Sequence, residues 1–182
     1  MWTKVLACGL LLGAATSVMA ADDTLAAFKG GIGVHPVSNG VNDDGTATTA
    51  ARAPSVTRNI VRGVQPAGQL WVIDRLEARV RANSHIRVDG KGLILAGGNN
   101  AGRATGQMVF ATLICEAAAP FTEFSSTLTG VPLSASGDFV IDDVLSATPA
   151  AAFPFQCASP MLLIRTAGSG NWFAVGIPSG GN

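Results

Sequence analysis

The chain has 182 residues, 12 Lys/Arg against 12 Asp/Glu, 48% hydrophobic residues and only 6% aromatics, none of them tyrosine. That length suits one domain with a real core. The balanced charge and the shortage of amphipathic rings argue against a stacked-aromatic platform for nucleic acid or sugar.

Residues 1–20 read as a secretion leader. Lys4 gives the positive start, Val5 to Ala15 the apolar core, and Val18-Met19-Ala20 small residues where a signal peptidase cuts. The apolar stretch is shorter than the roughly 20 residues of a spanning helix, and no later segment has that character. The expected product is therefore exported, periplasmic or extracellular, and starts at Ala21. Its charge is segregated: residues 52–103 carry nine Lys/Arg against Asp74, Glu77 and Asp89, whereas residues 104–182 carry Arg165 against five acids. Such a split predicts either a basic patch or two sets of strands that cancel where they meet.

Residues 21–55 read as an extended or flexible N-terminal segment. Leu25–Phe28 and Ile32–Val37 are apolar but broken by Gly30, Gly31, Gly33 and Pro36, which suits a short edge strand or a docked segment. Ser38–Ser55 is polar and turn-rich, a linker. A domain over residues 56–182 follows. Val56–Val64 is β-branched and predicts a strand, and Gln65-Pro66-Ala67-Gly68 fits a type I turn.

The strongest pattern lies at 71–97. Arg75, Glu77, Arg79 and Arg81 alternate with Leu76, Ala78, Val80 and Ala82. Ile86 and Val88 then alternate with His85, Arg87, Asp89 and Lys91. A period of two marks two half-buried strands, here a hairpin. A three-residue Asn83-Ser84-His85 loop would set Val80 opposite Val88, Arg79 opposite Asp89 and Glu77 opposite Lys91, pairing opposite charges.

Gly97–Gly106 is a loop rich in residues that accept positive φ. In Gln107–Cys115 both phases are apolar, with Met108, Phe110 and Ile114 in the second, so this strand is central or presents an interface. Weaker strands are expected at Thr122–Leu128 and Gly130–Leu133, firmer ones at Phe139–Leu145, Met161–Thr166 and Asn171–Ile177, with an irregular connection at 147–160. About seven or eight short strands predict an all-β fold, an antiparallel β-sandwich, with a small closed β-barrel as the alternative. Cys115 and Cys157 form an even pair in an exported chain and predict a disulfide.

The order Phe28-Lys-Gly-Gly-Ile-Gly-Val, Asn59-Ile-Val-Arg-Gly-Val-Gln-Pro, Trp71-Val-Ile, Gly92-Leu-Ile-Leu-Ala-Gly-Gly-Asn, Cys115, Gly137-Asp-Phe, Cys157, Leu162-Leu-Ile-Arg and Trp172-Phe-Ala resembles small exported bacterial β-rich proteins of unassigned function, over residues 28–178. The resemblance implies an exported β domain and no mechanism.

Chemistry is sparse. His35 and His85 are the histidines, no nucleophile elbow, zinc helix or phosphate loop is present, and Asp138, Asp142 and Asp143 fit no calcium-loop spacing. No catalytic, metal-ligating or cofactor-binding residue is expected, and nucleic acid is disfavoured. The expected function is non-catalytic binding or surface interaction, through an anionic-partner surface at Arg81, Arg87, His85 and Arg75 or an apolar interface at Met108, Phe110 and Ile114. The partner would be an envelope or extracellular protein or an anionic surface. A structural subunit of an extracellular or envelope assembly, and an enzyme of unfamiliar type, are the alternatives.

Overall fold

The structure, a computed structural model, describes residues 23–37 and 54–180. The expected leader at 1–20 and most of the Ser38–Ser55 linker lie outside the described residues.

The elements are strands β1 (Thr24–Gly33), β2 (Trp71–Val72), β3 (Arg75–Arg81), β4 (His85–Lys91), β5 (Ile94–Leu95), β6 (Met108–Ile114), β7 (Phe124–Ser125), β8 (Val131–Pro132), β9 (Phe139–Val144), β10 (Ser146–Ala147), β11 (Met161–Thr166) and β12 (Trp172–Pro178). They form one antiparallel sheet in the order β10-β7-β6-β11-β12-β1-β3-β4-β9, with β8 added to β6 and a separate β2–β5 ribbon. The two ends of that order, β9 and β10, are separated in the chain by Leu145 alone. One bent stretch, residues 139–147, therefore pairs with β4 at one end of the sheet and with β7 at the other. The sheet must curl until its ends meet. The all-β expectation holds, but the architecture is a single, nearly closed barrel rather than the sandwich of two facing sheets. Runs of short strands with turns between them suit both arrangements, so patterning alone does not separate them.

Two further expectations are corrected. β1 is no edge segment: it lies between β12 and β3 inside the sheet, and so belongs to the domain expected to begin at residue 56. Its glycines allow close approach, since a Cβ on Gly33 would fall 1.9 Å from the Trp71 carbonyl oxygen. Val56–Val64 is not a strand either. Val56–Arg58 is a 3-10 turn capped by the Ser55 side chain, and Val61 and Val64 exchange backbone hydrogen bonds around Arg62 (φ 47) and Gly63 (φ 83). Positive φ at both central residues makes a tight hairpin turn, which glycine favours and β-propensity does not register.

The core fills the barrel with one phase of each strand. Phe28, Leu76, Val80, Ile86, Val88, Leu113, Ile141, Leu162 and Ile164 are all buried. Large and small residues alternate across it: the Phe139 ring lies over Gly90, where an added Cβ would meet ring carbons at 2.1 Å. Such pairing lets a narrow barrel close without voids.

Outside the barrel, Cys115 and Cys157 form the expected disulfide, tying the end of β6 to the connection before β11. Beside it Arg62 donates to Ile114 O (3.0 Å), Ser159 O (2.7 Å) and Ser159 Oγ (2.6 Å). One guanidinium thus satisfies acceptors on a strand and a loop that pack where no strand ladder can reach them. Desolvation pulls Arg62 below its ordinary pKa, and the nearby Glu116 charge opposes that pull.

Candidate functional site: a charged groove on the outer face

The hairpin β3–β4 keeps the expected phase but not the expected register. Val80 lies opposite Ile86, Ala78 opposite Val88, Glu77 opposite Asp89, Arg79 opposite Arg87 and Arg75 opposite Lys91. Arg79 and Asp89 are not cross-strand partners, so the proposed charge pairing fails. A slip of two residues leaves apolar facing apolar, so burial could not choose between the registers. The turn chose. Ser84 N–H donates to Arg81 O at 3.0 Å, with Ser84 at φ 66 and the Asn83 side chain accepting from His85 N–H at 3.1 Å. Ala82, expected on the apolar face, is therefore an exposed turn residue.

The consequence is a face with charge in rungs. One rung runs Lys29, Glu77, Asp89, Val140 across β1, β3, β4 and β9, and the next runs Ala27, Arg79, Arg87, Asp142. The ion pairs run along strands and outward to β9. Arg75 pairs with Glu77 on its own strand at 2.9 Å, and Lys91 lies 3.9 Å from both Asp89 and Asp138. Asp142 receives Arg87 Nη1 at 2.5 Å and His85 Nε2 at 2.8 Å. The Arg87 hydrogen bond, ahead of the His85 contact, holds the Asp142 carboxyl below the usual carboxylate range.

A groove of about 520 Å³ on this face is walled by Lys29, Arg79, Arg81, Arg87, His85 and the carboxylates Glu77 and Asp89. Three of the four residues expected to face an anionic partner, Arg81, Arg87 and His85, meet here, and Arg75 does not line it. The groove is less basic than the arginine count implies, because Asp142 answers Arg87 and Asp23 lies 3.9 Å from Arg81.

The expected apolar interface is divided. Met108 is 38% exposed, but Phe110 and Ile114 are buried by the chain's own loops and neighbours. Above Phe110 stands Arg165, its guanidinium 5.3 Å from the ring, donating to Gly170 O (2.6 Å) and Glu123 Oε2 (2.5 Å). This arrangement went unforeseen, although a lone arginine in an otherwise apolar strand is itself the signal: a half-buried cation requires partners. Asp142 was foreseen only as one of three acids. The structure separates those acids: Asp138 accepts from Gly92 N–H (3.1 Å), while Asp143 accepts from Thr127 N–H (2.8 Å) and Val144 N–H (2.7 Å). Those backbone bonds, led by that of Thr127, hold Asp143 below its ordinary pKa.

Among the described residues, no group of three or more His, Cys, Asp or Glu is placed to hold a metal ion. No helix among them is long and apolar enough to cross a membrane. Comparison with family models, curated proteins and solved structures found no match.

Proposed function

We propose that the protein is an exported, non-catalytic structural subunit that joins an extracellular or envelope assembly through the exposed apolar row of β9. One observation carries this reading: β9 ends the sheet order, and its outward row exposes Val140 at 43% and Val144 at 55%. Leu128, in the loop whose Thr127 N–H binds Asp143, is exposed as well. Large apolar side chains exposed together on one strand mark a surface that a partner covers. The leader-like residues 1–20 support placing this assembly outside the cytoplasm.

A photo-crosslinking residue at Val140, introduced in cells that express the full chain, tests the reading. A discrete crosslinked species that disappears when Val144→Lys is added supports it. A protein that is monomeric at every concentration by light scattering, with no crosslink at 140 in intact cells, overturns it. A second reading, an anionic partner at the groove, rests on Arg81, Arg87 and His85 lining it together.

A further inference from the structure

We propose that one end of the barrel holds a binding site for an uncharged, polyhydroxylated ligand, of the chemical class of neutral oligosaccharides. This site is separate from the β9 edge and the charged groove, and does not depend on either reading. A cavity of about 490 Å³ opens there, between the turn at residues 67–69, the Gly97–Gly106 loop and the tip of the β11–β12 hairpin. That volume lies within the roughly 300–1,000 Å³ of small-molecule sites, which favour the mouths of β-barrels.

Its floor is apolar. Trp71 and Phe173, both buried, stack on each other at 4.0 Å with 12° between their planes, and Leu95 lies beside them, so the rings close the base of the cavity rather than offer a stacking platform. Its walls are polar, but among the described residues no acidic or basic one lines them: the polar ones are Gln69, Asn100, Thr105, Gln107, Thr166, Ser169 and Asn171. A cavity lined by amides and hydroxyls, without a charged partner, selects against phosphates and carboxylates. Amides and hydroxyls both donate and accept, as sugar hydroxyls do, so each can serve either direction of a hydrogen bond. The buried Thr166 hydroxyl donates to Gln107 Oε1 at 3.1 Å, which fixes one amide in orientation.

The loop is shaped beforehand. Leu95 N–H donates to Arg103 O (3.1 Å) and Gly102 N–H to Leu95 O (2.8 Å). Gly98, Gly102 and Gly106 take positive φ, and so does Thr105 at 54°. For a threonine that conformation is strained, and here it accompanies a hydroxyl that lines the cavity. A loop already held in its binding shape loses less entropy on association.

The test is a titration of the ¹⁵N-labelled full-length protein, followed by NMR, with maltotriose, cellotriose and triacetylchitotriose in turn, and with trigalacturonate as the charged comparison. The expected result is saturable shifts at residues 67–71, 95–107 and 166–173 with at least one neutral sugar, at dissociation constants of about 0.1–10 mM. Asn100→Ala/Asn171→Ala, both at loop positions outside the core, should weaken that binding by about tenfold or more while leaving the remaining spectrum unchanged. The proposal is overturned if no neutral sugar shifts these residues up to roughly 50 mM, if only trigalacturonate does, or if the double variant binds as tightly as the parent.

Discussion

The Cys115–Cys157 bridge closes a loop of 42 residues in sequence, and that loop contains β7, β8, β9 and β10. These are the strands by which the curled sheet meets itself, so the bridge acts on barrel closure rather than on a hairpin at random. The chain-entropy argument gives a cross-link of this span about 4 kcal/mol, through restriction of the unfolded chain. Cys115→Ser/Cys157→Ser should therefore unfold at lower urea, with a loss of about 3–4 kcal/mol read from equilibrium denaturation at unchanged slope. Hydrogen exchange gives the finer test. Amides of 124–147 should lose protection ahead of those in β3, β4, β11 and β12, because the closing stretch is held by short ladders: β7 and β10 pair over two residues each. A loss below about 1 kcal/mol, or uniform loss of protection across the sheet, would refute the argument, since closure would then be held by packing of the barrel interior alone.

Other perturbations separate packing from propensity and charge from burial. Gly90→Val raises β-propensity but drives a side chain into the Phe139 ring, so it should destabilise by about 1–3 kcal/mol, measured by urea denaturation. Asp142 has a depressed folded pKa, so its contribution is present above the unfolded value of about 4 and is lost as pH falls through the lower, folded value. Stability of the parent should thus decline below about pH 4, and Asp142→Asn should make that decline shallower without abolishing it, because Asp143 and Glu116 are depressed too. Glu116 reaches that state against desolvation, through hydrogen bonds from its own amide, Thr122 and Cys115. A variant as acid-sensitive as the parent would show that the Arg87–Asp142 contact contributes nothing in solution.

What was legible in the sequence follows from what alternation measures. A period of two reports which side chains are buried, so β3, β4, β6, β9, β11 and β12 were each placed to within a residue or two. It does not report which strand lies beside which, and so a curled single sheet and two facing sheets read alike. Nor does it fix register beyond parity: Arg79 met Arg87 instead of Asp89 because Arg81–Ser84 turns around a left-handed Ser84, a conformation that serine adopts without announcing it. The glycines of β1 look like breaks in a strand, whereas at Gly33 the missing side chain is what lets the Trp71 backbone approach. The candidate sites were legible in proportion to their locality. Arg81, Arg87 and His85 share one hairpin, while the partners that decide their charge, Asp142 and Asp23, come from distant parts of the chain.

The charge segregation along the chain can now be interpreted. The basic half supplies β3 and β4, and the acidic half supplies β9, and the topology sets β4 directly against β9. Arg87 and His85 meet Asp142, and Lys91 approaches Asp138, along that one seam. The separation in sequence is therefore cancelled in space rather than displayed as a basic field, which removes most of the long-range attraction an anionic partner would feel. What remains for recognition is short-ranged: an edge with exposed valines on the acidic side of the seam, and a charge-free cavity at the end of the barrel. Both would act through contact geometry, so their binding should vary little with ionic strength, whereas a partner held in the arginine-lined groove would be released by salt.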